Sequence, residues 1–128
     1  MKPALFVVLA LAFSPAMARA DLVYKCKTVK FSDEKTANLR FGEFGRGGSI
    51  EVEHWNGYPP LSLVSAELRT PTQRDGKAIF QSEVDPLWGY SAELAVPAGF
   101  LRMDFFEASI TLIKGSKRQP IAFNCNRF

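Results

Sequence analysis

Short segments with alternating apolar and polar side chains recur along this chain, and glycine- or proline-rich stretches separate them. In residues 49–55, Ile50 and Val52 point to one face and the intervening glutamates point to the other. Residues 88–96 repeat the pattern, with Trp88 on the larger and more apolar face. Because successive side chains of a strand lie on opposite faces, this period of two predicts half-buried β-strands.

Nine segments of this kind are candidate strands, and we expect about eight of them to form. They are residues 22–31, 37–44, 49–55, 61–69, 78–84, 88–96, 100–106, 109–114 and 121–126. The turns between them are expected at residues 45–48, 56–60, 70–76, 85–86, 97–99 and 115–120. Segment 61–69 also fits a helical period, so a helix is the alternative prediction for this segment. With 47% hydrophobic residues, the chain predicts one small all-β domain: an antiparallel β-barrel of about eight strands, or alternatively a two-sheet β-sandwich.

The first twenty residues have the pattern of a secretory signal peptide. Lys2 gives a positive start, an uncharged apolar run covers residues 4–13, and small side chains stand at Ala18 and Ala20. The run is about half of the roughly 20 residues that a membrane-spanning helix needs. We therefore predict a leader over residues 1–20, cleavage near Ala20, and a periplasmic or secreted domain without a transmembrane segment over residues 21–128.

Removing this leader changes the charge balance of the chain. The formal charge of the whole sequence is +3, but without Lys2 and Arg19 only 14 basic side chains stand against 13 acidic ones. The remaining charges are scattered singly along the sequence. Nucleic-acid binding needs a concentrated excess of positive charge, so we predict no nucleic-acid partner.

The only two cysteines, Cys26 and Cys125, lie near the two ends of the predicted domain. In an exported chain, the pairing of two such cysteines is the default expectation. Because they belong to the first and last candidate strands, a bond between them requires these strands to be neighbours or to face each other across a thin core. In an up-and-down barrel, the first and last strands close the cylinder.

The residues offer little catalytic chemistry. His54 is the only histidine, and the sequence holds no nucleophile elbow, phosphate-binding loop or paired-histidine zinc motif. We therefore predict no catalytic residues, no metal site and no cofactor. Glu51 and Glu53 would lie about 7 Å apart on one strand face, close to the carboxylate spacing of glycoside hydrolases, so a carbohydrate-active hydrolase is the alternative. Residues 33–35 are expected to form a solvated turn.

Aromatic residues in or beside turns give a candidate binding surface. Rigid aromatic side chains near prolines present a large contact area with few rotatable bonds. A glycine-rich turn would add one arginine that could face an anionic group. The predicted binding residues are Trp55, Tyr58, Trp88, Tyr90 and Arg46. The leading hypothesis is an exported, monomeric, non-catalytic β-barrel that binds a protein partner or small ligand, and a purely structural envelope protein is a further alternative.

The two ends of the domain also resemble a known family. Residues 22–26, Leu-Val-Tyr-Lys-Cys, and residues 123–125, Phe-Asn-Cys, are similar to the ends of the periplasmic inhibitors of c-type lysozyme. These inhibitors are small β-barrels whose terminal strands are joined by a disulfide, so the resemblance implies that fold. Their inhibitory loops, a Ser-Gly-Ala-Arg-Tyr-like stretch and a Ser-x-Gly stretch, have no counterpart in residues 45–49 or 91–92. The resemblance therefore implies no functional residue.

Overall fold

A computed structural model describes residues 22–29, 34–42, 47–54 and 61–128, so the predicted leader lies outside the described residues. Nine strands and one short 3-10 turn form this part of the chain. The strands are β1 (Leu22–Thr28), β2 (Lys35–Phe41), β3 (Gly48–His54), β4 (Leu61–Leu68), β5 (Thr72–Arg74), β6 (Lys77–Gln81), β7 (Ser91–Pro97), β8 (Phe105–Lys114) and β9 (Lys117–Arg127). The 3-10 turn is Phe100–Arg102.

All nine strands belong to one sheet in the order β4-β3-β2-β1-β9-β8-β7-β6-β5, and each neighbouring pair is antiparallel. The sheet curls into a half-barrel, because Leu68 at the end of β4 pairs with Ser82 just after β6. Two backbone hydrogen bonds of 2.8 and 3.0 Å support this contact, from the N–H of Arg69 and the N–H of Glu83. The prediction of an all-β antiparallel fold of the barrel type is confirmed, and the single sheet replaces the alternative of two stacked sheets.

The first and last strands are neighbours in the middle of the sheet. Cys26 on β1 lies directly opposite Cys125 on β9, and the two sulfurs are bonded. The predicted disulfide between the terminal strands is therefore confirmed. Since β2 to β4 continue on one side of this pair and β5 to β8 on the other, the bond joins the two halves of the half-barrel.

Several expected segments differ in detail from the structure. The expected turn over residues 115–120 shortens to residues 115–116, because β9 begins at Lys117, and the expected strands 100–106 and 109–114 both contribute to the single strand β8. The expected strand over residues 100–106 begins instead as a 3-10 turn, because Gly99 has a φ of 81° and turns the chain while the ring of Phe100 is buried. The expected turn over residues 70–76 contains the short strand β5. Asp75 and Gly76, with φ of 52° and 74°, close the β5–β6 hairpin, and two successive positive φ values are typical of a type I′ turn.

The helix that stayed open over residues 61–69 is the strand β4. The register between β3 and β4 shifts by one residue, so Leu63 and Val64 are both buried although they follow each other in the chain. This bulge explains why the segment mixes two periods. The solvated turn expected at residues 33–35 is wrong for Lys35, which begins β2 opposite His54 and is buried.

Aromatic rings fill one end of the half-barrel. The centroids of Tyr24 and Phe106 lie 4.9 Å apart, those of Phe41 and Phe100 lie 4.8 Å apart, and Phe80 lies 5.3 Å from Phe41. Tilted and edge-on ring pairs at these distances contribute about 0.5–1.5 kcal/mol each beyond the burial of their surface. The interior at this end is therefore packed with side chains.

Arg127 at the end of β9 covers the same aromatic cluster. Its Nη2 donates hydrogen bonds to the hydroxyl of Tyr24 at 3.2 Å and to the carbonyl oxygens of Leu101 and Met103, and its Nη1 lies 3.5 Å from Asp104. The hydrogen bond to the Tyr24 hydroxyl raises the pKa of Arg127 above its ordinary value. These contacts tie the last strand to the 3-10 turn, and we call this end of the half-barrel the Arg127 end.

Candidate functional site at the loop end

The opposite end, which we call the loop end, is where β6 ends and β7 begins. Residues 82–90 connect these strands, and we call residues 84–90 the 84–90 loop. Three apolar side chains of this loop are exposed: Val84 to 61%, Leu87 to 78% and Trp88 to 41%. Water contact of such large apolar groups costs free energy, so a compact exposed group of them is a candidate contact surface.

Buried Asp85 holds this loop in place. Only 5% of Asp85 is exposed. One carboxylate oxygen accepts hydrogen bonds from the N–H of Leu87 at 2.8 Å and, less closely, from the N–H of Trp88 at 3.4 Å. The other oxygen accepts from the N–H of Ser65 on β4 at 2.9 Å. The carboxylate therefore both shapes the loop and ties it to the neighbouring edge strand.

The backbone of Asp85 closes the loop as well. Its N–H donates to the carbonyl of Tyr90 at 2.8 Å, and its own carbonyl accepts from the N–H of Gly89 at 2.8 Å. Gly89 has a φ of 75°, a value that glycine adopts without steric strain. The exposed apolar side chains thus stand on a backbone that is fixed at both ends.

These hydrogen bonds also set the charge of Asp85. The hydrogen bond from the N–H of Leu87 lowers the pKa of Asp85, and those from Ser65 and Trp88 add to this effect against the opposing influence of burial. A carboxyl whose pKa is lower in the folded than in the unfolded chain stabilises the fold above its unfolded-state pKa of about 3.9. That stabilisation is lost as the pH falls through the lower folded-state value.

This pKa shift predicts a pH-dependent effect of Asp85→Asn. Well above the ordinary carboxyl pKa, we expect the variant to unfold at a lower urea concentration than the parent protein, because it lacks the charged acceptor. As the pH falls through the folded-state pKa, the difference between the two should shrink. The measurement is urea unfolding of both proteins across the acidic range, with Asp75→Asn, at an exposed position in the β5–β6 turn, as the control. A difference that stays constant with pH would contradict the role of the ionised carboxylate.

A cationic cleft lies beside the loop. Its volume is about 610 Å³, and its lining includes Tyr90, Lys114, Lys117 and Arg118. The Nζ of Lys114 lies 5.0 Å from the centroid of the Tyr90 ring, within the range of a cation–π contact. Arg118 forms an ion pair of 3.3 Å with Glu93. The cleft therefore joins an aromatic wall to positive charge at the edge of the apolar loop.

The structure brings two of the five predicted binding residues together. Trp88 and Tyr90 both belong to the 84–90 loop, but Trp88 does not lie in a strand: β7 begins only at Ser91, because Asp85 holds the preceding amides in the loop. Tyr90 is half-buried and packs against the core, whereas Trp88 is exposed.

The other three predicted residues lie outside the described residues. Trp55 and Tyr58 belong to the connection between His54 and Leu61, which are at the end of β3 and the start of β4 and thus at the loop end. Arg46 belongs to the connection between β2 and β3, which starts from the Arg127 end. A role of these three residues in binding stays a prediction.

The residues that organise this site are not predicted from the sequence. The sequence pattern places Asp85 only in a turn and indicates no role for Leu87, Lys114 and Lys117. A signal for Asp85 was present, since an aspartate followed by Pro86 and by a glycine four positions on is typical of a turn in which the carboxylate accepts nearby backbone amides. The lysines carry no local signal, because their position depends on how β8 and β9 pair.

The residues of the hydrolase alternative lie elsewhere on the sheet. Glu51 on β3 is exposed and accepts a hydrogen bond of 3.1 Å from the side chain of Asn38 on β2. Glu53 lies where the β3–β4 register shifts, and His54 lies opposite Lys35 at the end of β3. Within the described ranges, no three histidine, cysteine, aspartate or glutamate side chains form a group suited to a metal ion.

A search for helices able to cross a membrane finds none among the described residues. Comparison with known proteins adds no relative: no protein-family model, curated protein or solved structure matches this chain.

Proposed function

We propose that this chain is an exported, non-catalytic binding protein that contacts its partner with the 84–90 loop. The observation that carries the proposal is the combination of exposure and rigidity: Leu87 and Trp88 are exposed, yet their backbone is held by buried Asp85. Ordering a flexible loop would oppose binding, whereas a preformed loop avoids most of that cost.

The geometry favours a large partner surface over an enclosed small molecule. Val84, Leu87 and Trp88 are all exposed within one short loop, so a partner that covers all three would present an extended apolar surface. Burying one large apolar side chain contributes about 1.5–3 kcal/mol. The cationic cleft beside Tyr90 would then contact polar or anionic groups at the edge of the same partner.

Export is supported by the disulfide and by the leader pattern. Bonds such as Cys26–Cys125 form and persist in oxidising compartments, which include the periplasm and the extracellular space. The sequence supports a non-catalytic role, since it holds a single histidine and no nucleophile motif. The hydrolase and the purely structural protein stay alternatives from the sequence, and no contact of the described residues favours either.

Sedimentation with cell-envelope fractions tests this proposal. We expect the oxidised protein to sediment with the envelope and the double variant Leu87→Ser, Trp88→Ser to bind roughly 30-fold more weakly, because loss of central apolar anchors costs about 2 kcal/mol or more. Phe105→Ser is the matched control, since Phe105 is 57% exposed but lies at the start of β8, near the Arg127 end.

Thermal unfolding of each variant establishes that it is folded before binding is compared. Equal sedimentation of the double variant and the parent protein, or no sedimentation of either, would contradict the proposal.

A further inference from the structure

Residues 86–89 form the tip of the 84–90 loop, and every backbone N–H group in this tip has a hydrogen-bond acceptor within the loop. Pro86 has no N–H, the N–H groups of Leu87 and Trp88 donate to the Asp85 carboxylate, and the N–H of Gly89 donates to the Asp85 carbonyl. In a medium without water, an unpaired N–H is costly, which is why hydrocarbon excludes most irregular backbone. This tip can leave water without leaving a backbone donor unsatisfied.

Positive charge lies directly beside this tip. Lys114 and Lys117 face each other across the β8–β9 turn and are both exposed. The side chain of Lys114 runs along the loop, with its Cε 4.0 Å from the position that a Cβ on Gly89 would occupy. Arg118 also lines the cleft, but Glu93 neutralises it in an ion pair. Two lysines are thus the uncompensated cations of the cleft.

We propose that the partner surface of the 84–90 loop is an anionic lipid bilayer: Leu87 and Trp88 enter the interface, and Lys114 and Lys117 lie against the headgroup phosphates. This inference rests on the binding function proposed above. An apolar tip with a tryptophan and adjacent lysines matches the layering of a bilayer surface, where acyl chains, the aromatic-rich interface and anionic headgroups follow one another. The protein lies on the surface and does not cross the membrane.

Lipid fits these observations better than a protein pocket does. Pairing of the backbone donors between residues 86 and 89 within the loop preforms the loop for any partner, and it also lowers the cost of placing these donors in a lipid interface, where specific acceptors are scarce. The charge beside the tip favours lipid. An anionic bilayer surface attracts positive charge near the apolar tip without a single specific contact, and the two lysines provide it.

Binding to defined vesicles tests the proposal. The oxidised protein is mixed with vesicles of phosphatidylcholine alone and with vesicles in which about a third of the lipid is phosphatidylglycerol, and the bound fraction is measured by sedimentation. We expect binding to the anionic vesicles. Raising the salt from about 0.1 M to about 1 M should weaken it, because the Debye length falls from about 10 Å to about 3 Å.

Two double variants separate the apolar and the electrostatic contributions. Leu87→Ser with Trp88→Ser should weaken vesicle binding roughly tenfold or more. Lys114→Gln with Lys117→Gln should weaken it about 30-fold on anionic vesicles, since each lysine near such a surface contributes about fivefold. The matched controls are Phe105→Ser and the pair Arg74→Gln with Lys77→Gln, which lies beside the β5–β6 turn at the Arg127 end; they should bind like the parent protein.

The outcomes distinguish this inference from the proposed function. No vesicle binding, together with envelope binding that needs Leu87 and Trp88, would overturn the lipid surface and leave a protein partner for the loop. Vesicle binding that needs the lysines but not Leu87 and Trp88 would be adsorption by charge alone and would overturn loop insertion. If envelope binding is also independent of the loop, the proposed function fails with it.

Discussion

Replacing both Cys26 and Cys125 by alanine should lower the free energy of unfolding by about 2–5 kcal/mol. The bond spans a sequence separation of 99 residues, and closing a loop of about 100 residues removes about 4.7 kcal/mol of unfolded-chain entropy in the simplest treatment. It also joins β1 to β9, the only pair that connects β2–β4 with β5–β8 through the continuous ladder of the described sheet.

Urea unfolding of the oxidised parent protein and the double variant measures this effect. Reduction of the parent protein serves as the control, since it should reproduce most of the loss without changing the sequence. An unchanged midpoint and slope in both comparisons would show that the bond does not stabilise the fold.

The second large effect is expected for Phe100→Ala, which should cost about 3–5 kcal/mol. The Phe100 ring is buried beside four other rings of the aromatic cluster, although it stands on a 3-10 turn and not on a strand. Its neighbours are Tyr24, Phe41, Phe80 and Phe106, at centroid distances of 6.4, 4.8, 5.9 and 5.9 Å. Removing the ring leaves a cavity that these strand-borne neighbours cannot readily fill.

Phe105→Ala is the matched comparison for this substitution. Phe105 is a phenylalanine five residues further on, but it is exposed, so its loss should change stability by about 0.5 kcal/mol or less. Both variants are compared with the parent protein by urea unfolding at neutral pH. Similar losses at the two positions would contradict the packing role of Phe100.

The fold follows from the sequence where local alternation decides it. β2, β7 and β8 each alternate buried with less buried side chains, and the predicted segments 37–44, 88–96 and 109–114 overlap them, although β8 is one strand where the sequence suggests two. The disulfide follows from the positions of the two cysteines near the ends of a domain that the leader pattern predicts to be exported. The alternation depends on neighbouring residues and the disulfide on the positions of two cysteines, and both can be read directly from the sequence.

Features that depend on distant residues do not follow from the sequence. Trp88 leaves the strand pattern because Asp85 is anchored by Ser65, twenty residues earlier in the chain. Lys35 is buried because β2 begins there opposite His54, whereas its acidic neighbours in the sequence suggest a solvated turn. The Phe100 ring is buried because it packs against aromatic rings from four different strands.

The sequence likewise predicts only part of the candidate site. Aromatic residues beside prolines indicate a binding surface around Trp88 and Tyr90. The exposure of Leu87 and the placement of Lys114 beside Tyr90 depend on strand pairing and on the hydrogen bonds of Asp85. The sequence therefore predicts the type of surface, and the structure supplies the residues that a partner would meet.

The emission of Trp88 tests most directly whether the 84–90 loop enters the binding interface. The chain has two tryptophans, so Trp55→Phe leaves Trp88 as the only one. When this variant binds to envelope fractions, we expect its emission to shift to shorter wavelength and its quenching by iodide to fall, because the half-exposed indole leaves water. Sedimentation of the variant with unchanged Trp88 emission and unchanged quenching would contradict the account.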